Sequence, residues 1–258
     1  MDETRLTQGA AMRRNDVSPA EWAARVDLAA AHHLCEHNRW TDLIFNHLTV
    51  RVPGEPTHFL IKRHSLYFEE VTASNLIKVD LEGKPAGTDE DVNTAGFTIH
   101  SAVFNARPEV NAVMHVHSDA GIAISMRKAG LRFLCQEAMQ FYNRVAYHDF
   151  VGIALDLDEC ASLQRDLGPH NAMIMRNHGV LTCGSSVAEA ALRLRTLIMV
   201  AETQLRAEAM GAELNEVPAE VCEHTAQQYE QLARQHSRRT EWEAVLRWLD
   251  RRDPSYRN

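Results

Sequence analysis

Apolar residues change their spacing along this chain, and each change predicts an element. In SPAEWAARVDLAAAHHLCEHNRW, residues 18–40, Trp22, Val26, Leu28 and Ala29 recur at helical spacing, after Ser18 as a cap and Pro19 at the first helical position. The period then drops to two. LTVRV and THFLIK alternate around the turn signal PGEP, which predicts a hairpin or two neighbouring strands within residues 43–62. A short helix from Thr72, a strand near Ile77–Val79 and a helix over Thr94–Ala106 follow. NAVMHVHS reads as a strand, and DAGIAISMRKAG as a helix ended by Gly130. VAYHDFVGIALD reads as a strand and a loop, and DECASLQRDLG as a helix stopped by Gly168. NAMIMRNHGVLTCG reads as two strands around a loop at RNHG. A long helix then runs from a Ser186 cap to Gly211, and one further amphipathic helix, with Trp242, Val245, Leu246 and Leu249, covers about 219–251.

Helices and strands alternate without a linker or a repeat. The expected fold is therefore a single α/β domain in three layers, α/β/α, around a sheet whose closely linked strands cannot all be parallel. Residues 1–17 are expected to be a flexible segment, 18–215 the domain, and 216–258 a helical tail packed on it.

Composition narrows the function. The net charge of −8 and the short, acid-interleaved basic runs argue against nucleic-acid binding. The five scattered cysteines form no C-x-x-C pair, which argues against a zinc ribbon or a disulfide framework. The polar N-terminus and the lack of any apolar run near 18 residues predict no signal peptide, no membrane span and a cytoplasmic location.

One strand ends unusually, in AVMHVHSDAG. Alternation puts His115 and His117 on the same face of the strand, one pleat apart, where two imidazoles can share a cation. His178, in MRNHGVL at the end of another apolar run, offers a third ligand. With 14 histidines in the chain, the spacing alone also fits a chance pair.

RPEVNAVMHVHS followed by RNHGVL, in order with LTVRV, FLI and EEVTASNLIKVDLEG, resembles the class II aldolase/adducin family over roughly residues 26–210. The resemblance implies a cytosolic α/β/α homotetramer with sites between subunits and a small-molecule substrate. It also implies a divalent metal on His115, His117 and His178, most often zinc, with iron(II) or manganese as alternatives. In such enzymes the metal chelates a hydroxy-carbonyl substrate and stabilises the enediolate formed as a C–C bond breaks.

The chain departs from the aldolase pattern in two places. Gly96 stands where the aldolases carry a proton-transferring glutamate. Asn46-His47, His64-Ser65 and Thr94-Ala95 stand where they cradle phosphate with small donors, which argues against a sugar-phosphate substrate. Asn46, His47, His64, Ser65, Thr94, Gly96 and Tyr142 are then the candidate substrate contacts. Glu137 is the candidate replacement acid/base, with His148 as a second, and His100 is expected to be packed rather than catalytic. Phrases such as AGFTIHSAVF and AYHDFVGIALD look closer to the adducin head, though the chain lacks the adducins' long basic tail. Three functions fit: a metal-dependent lyase of a small non-phosphorylated hydroxy- or keto-acid; a non-haem iron oxygenase of an aromatic 2-oxo acid, with Gly96 making room for it; and a non-catalytic oligomeric scaffold.

Overall fold

The computed structural model describes residues 12–86, 92–152, 158–235 and 238–258. Seven strands form one sheet: β1 (His47–Val52), β2 (Glu55–Ile61), β3 (Ile77–Asp80), β4 (Ala112–Val116), β5 (Ala146–His148), β6 (Ala172–Met175) and β7 (Gly179–Gly184). Their order is β3-β2-β1-β4-β7-β6-β5. Only the β5–β6 pair is parallel, so the sheet is mixed, as the short connections predicted. The β1–β2 hairpin closes with Val52 opposite Glu55, and Gly54 supplies the positive φ its turn needs.

The sheet carries helices on both faces, and alternate strand residues feed two cores. Met114, Val116, Ile174 and Val180 pack with α1 (Pro19–His37), α3 (Asp119–Ser125), α5 (Val187–Ala209) and α7 (Arg239–Asp250). Val113, Met173, Leu181 and Cys183 point the other way, to α2 (Thr94–Ala106) and α4 (Asp158–Leu167). Every residue of β4, β6 and β7 is buried. This is why their sequences read as near-continuous apolar runs, broken in β4 by His115 and in β7 by Thr182, rather than as alternating ones.

Local chemistry sets the helix starts. Ser18, Ser118 and Ser186 each accept a hydrogen bond from the backbone N–H three residues on. Three expectations change. The Thr72 stretch is a turn in which Asn75 Oδ1 accepts from the Thr72 N–H, and the nearby helical turn is a 3-10 turn at Phe68–Glu70. The asparagine side chain there competes with the backbone for that N–H. α3 stops at Ser125, and Gly130, at φ 65°, closes a separate turn onto Arg127 O. The tail is two helices, α6 (Ala219–Gln235) and α7, of which α7 is pinned where Trp242 Nε1 donates to Asp27 Oδ1 on α1 at 2.9 Å. Of the N-terminal segment, residues 1–11 lie outside the described residues; the Met12 N–H donates to Ser74 O. Among the described residues, no helix is long and apolar enough to cross a membrane.

Candidate metal centre

His115 lies on β4, between His47 of β1 and Leu181 of β7. His117 follows the strand's last residue, and His178 sits in the turn joining β6 to β7. Two antiparallel neighbours thus deliver three imidazoles to one sheet end. Their ligand nitrogens lie within 4.8 Å of one another. His115 Nε2 and His117 Nε2 are 3.0 Å apart, as are His117 Nε2 and His178 Nε2.

The second nitrogen of each ring decides what the first can do. His115 Nδ1 lies 3.1 Å from Val180 O, and His117 Nδ1 lies 3.1 Å from Asp42 Oδ2. A carbonyl and a carboxylate only accept, so both Nδ1 atoms carry the proton. In the neutral rings both Nε2 atoms are then lone pairs, and they face each other with no proton between them. A shared cation resolves that repulsion. Tetrahedral zinc with bonds near 2.05 Å sets its nitrogens about 3.3 Å apart, close to the spacing here. The donor set therefore fits a divalent metal, with Val180 O and Asp42 orienting its ligands.

Burial keeps the His115 and His178 rings uncharged. His115 is wholly enclosed and its pKa is driven well below the ordinary value, first by lost solvation and then by the neighbouring His178, His47 and His117. Burial likewise lowers His178 to about 4, with His117 and His148 adding to the shift. Glycine is required at 179, because a Cβ there would stand 2.7 Å from Val116 O and 3.2 Å from His117 Cδ2.

A second histidine chain abuts the first. His47 Nδ1 is 2.9 Å from His100 Nε2, and His100 Nδ1 is 2.6 Å from Thr49 Oγ1. All three residues are buried, and the His47 ring lies 4.9 Å from that of His115. The space beside Gly96 is not open: a Cβ there would meet His47 Cγ at 2.7 Å. The imidazole fills it, so the idea that Gly96 makes room for a bulkier substrate fails.

The other sequence candidates scatter. Asn46 is enclosed; its Oδ1 accepts from the His117 N–H at 3.3 Å and its Nδ2 has no partner. His64 lies 6.2 Å from the Phe45 ring with Nδ1 enclosed and unpaired, and Ser65 is exposed. The Thr94 side chain lies outside the described residues. Glu137 lies on a 3-10 turn, Gln136–Phe141, that packs on α5 and α6, and Tyr142 meets the Phe133 ring edge-on at 4.9 Å. None of the bonds described for Glu137 or Tyr142 reaches the histidines. His148, on β5, bonds Asp166 Oδ2 at 2.8 Å.

Reading along the chain missed Asp42, Thr49 and the bonded role of His100. Two of these carried a signal. Thr49 is two residues from His47 on a strand, and His100 is four from Gly96 on a helix, so each pair shares a face.

A family model described as the Class II Aldolase and Adducin N-terminal domain matches residues 26–205. The crystal structure of an aldolase II superfamily protein from Pseudomonas syringae superposes with a TM-score of 0.90 at 44% identity, covering 96% of this chain and 100% of that one. The L-fuculose 1-phosphate aldolase of Glaciozyma antarctica PI12 superposes with a TM-score of 0.79 at 27% identity, covering 92% of this chain and 93% of that one. Mouse alpha-adducin is 44% identical over 186 residues, 70% of this chain but 25% of the adducin.

Proposed function

The chain belongs to the class II aldolase and adducin family, and from that premise we propose that it is a divalent-metal-dependent lyase of a small, non-phosphorylated hydroxy- or keto-acid. The observation that carries this reading is the convergence of three imidazole nitrogens, two of them held as lone pairs by Val180 O and Asp42. A chain that merely packed histidines would have no need to aim unprotonated nitrogens at one another.

His115, His117 and His178 would hold the ion, and zinc suits three neutral nitrogens that leave a coordination position open. When bound, the ion supplies Lewis acidity, drawing charge from a substrate oxygen as a C–C bond breaks. The rest falls to the chain. Asp42 and Val180 keep the ligand rings in one tautomer, Gly179 lets the β7 backbone close against them, and His47 occupies the space at Gly96.

A non-phosphorylated substrate is supported by the fate of Lys62, the buried cation beside His64 and Ser65. The three N–H groups of its Nζ are shared among the carbonyls of Ile44, Arg63, His64 and Leu66, which leaves no proton for a phosphate. A homo-oligomer, with a tetramer favoured, is supported by the exposed apolar side chains about the site. Leu43 and Phe45 flank the segment from Asp42, and Phe150 lies 6.5 Å from the His178 ring with Val151 beyond it.

The test pairs elemental analysis of untagged protein with proton exchange. Stoichiometric zinc, and deuterium entering the carbon next to the carbonyl of a hydroxy- or keto-acid in D2O, are expected together. Iron with oxygen uptake on an aryl pyruvate would replace the lyase by an oxygenase. A second reading, a non-catalytic scaffold, draws on the 44% identity to alpha-adducin. It would prevail if the protein held no metal and exchanged no proton of any such acid.

A further inference from the structure

We propose that Lys62 is a positioning residue of the metal centre: its buried ammonium is the internal cation of a four-carbonyl cage that clamps the 42–46 loop, and with it the two side chains that hold His117. This deepens the lyase reading and rests on the metal in it.

The cage draws on two segments. Lys62 follows the last residue of β2, and its Nζ lies 2.8 Å from Ile44 O, 2.9 Å from Leu66 O and 3.2 Å from both Arg63 O and His64 O. Ile44 O comes from the loop before β1, and the other three come from the turn after β2. Carbonyls only accept, so one nitrogen serving four of them uses all three protons of an ammonium. Burial lowers the pKa of Lys62 to about 8 and Glu70 opposes the shift, so the charge persists at neutral pH. The Phe68 ring, 5.9 Å away, adds its negative face. Without the ammonium, four carbonyl dipoles would point their negative ends at one another in a buried space.

The clamped loop carries the residues that hold His117. Asp42 Oδ2 meets His117 Nδ1 at 3.1 Å, and Asn46 Oδ1 accepts from the His117 N–H at 3.3 Å. Ile44 lies midway between Asp42 and Asn46 in the chain. The loop is also strained. Its turn closes where the Phe45 N–H donates to Asp42 O at 2.9 Å, and it puts Leu43 at φ 46°, a region that favours glycine. Such a backbone persists only where its surroundings fix it. Two side chains do so: Lys62 on Ile44 O, and Asn93 Nδ2 on Phe45 O at 3.1 Å. The Asn93 bond is exposed and neutral, so the charge-assisted bond of Lys62 is the stronger tie. Lys62 thus acts on the metal at one remove, through Ile44 O to the loop and through Asp42 and Asn46 to His117.

Competition with a chromophoric chelator measures zinc affinity in the wild type, Lys62→Met, Asp42→Ala and the double variant. Lys62→Met should weaken zinc about ten-fold or more, the scale of a lost ligand-orienting partner. In the double variant the two losses should fall well short of multiplying, because both act through His117. Lys62→Ala is the second variant, should Lys62→Met fail to fold. n-Propylammonium replaces the atoms it deletes and should restore zinc affinity, whereas tetramethylammonium, a cation without an N–H, should not. Hydrogen exchange by mass spectrometry on zinc-free protein reads the clamp itself. The peptide spanning 41–47 should exchange faster in either Lys62 variant while α5 stays unchanged. Multiplying losses, wild-type zinc affinity in the Lys62 variants, equal rescue by tetramethylammonium, or unaltered exchange across 41–47 would overturn the proposal. Wild-type protein that takes up no zinc would sink the lyase reading instead, and the exchange across 41–47 would still decide the clamp.

Discussion

His47 and Gly96 share one volume: a Cβ at position 96 would stand 2.7 Å from Cγ of the His47 imidazole. Gly96→Ala should therefore push against a buried ring wedged between His100 and His115. Overpacking of this kind costs about 1–3 kcal/mol. Urea denaturation should show that loss in Gly96→Ala, and the double variant Gly96→Ala/His47→Ala should recover part of it. Two independent, additive losses would refute the coupling.

His115→Ala and His178→Ala should each abolish stoichiometric zinc. Ligand binding to the native state alone stabilises it by about 2.7 kcal/mol at a hundred-fold excess over Kd. Chelation should accordingly lower the Tm of the wild type and leave that of either variant unchanged. Elemental analysis and scanning calorimetry check both statements.

Asp42→Ala should weaken zinc without removing a ligand. Loss of such an orienting carboxylate costs about 10–100-fold in metal affinity. Competition with a chromophoric chelator measures it. An unchanged affinity would mean that the Asp42–His117 bond has no part in holding the metal.

Acid should destabilise the fold through His32, on α1. Burial holds its pKa at about 3, against 6.5 for a free imidazole, and Lys62 and His33 lower it further. Its Nδ1 donates to Leu28 O at 2.8 Å and its Nε2 is enclosed without a partner. Between those two pH values the unfolded chain binds a proton that the folded chain does not. The stability is thus complete above pH 6.5 and is lost as pH falls toward 3. His32→Leu should make the urea midpoint less dependent on pH across that window; an identical slope would count against this account.

Much of this molecule could be read along the chain. Period-two spacing located the hairpin, apolar runs the buried strands and helical spacing the long helices, because those patterns follow from which side chains face the core. The fold around the site was legible for the same reason. The tail was not: one amphipathic pattern over 219–251 does not reveal that α6 and α7 are separate helices, since a break between two helices leaves the apolar spacing on either side intact. Thr72 misled because a helix-like start was overruled by the Asn75 side chain.

Within the site, the sequence by itself determined that His115 and His117 share a face and that His178 ends a neighbouring strand. Strand alternation is a local rule, and no distant residue can change it. Only the tertiary structure decided which nitrogen of each ring carries the proton. That choice belongs to Val180 and Asp42, which lie 65 and 75 residues from the histidines they bond. An imidazole is ligand or donor according to its partner, and its partner is set by packing rather than by its neighbours in the chain.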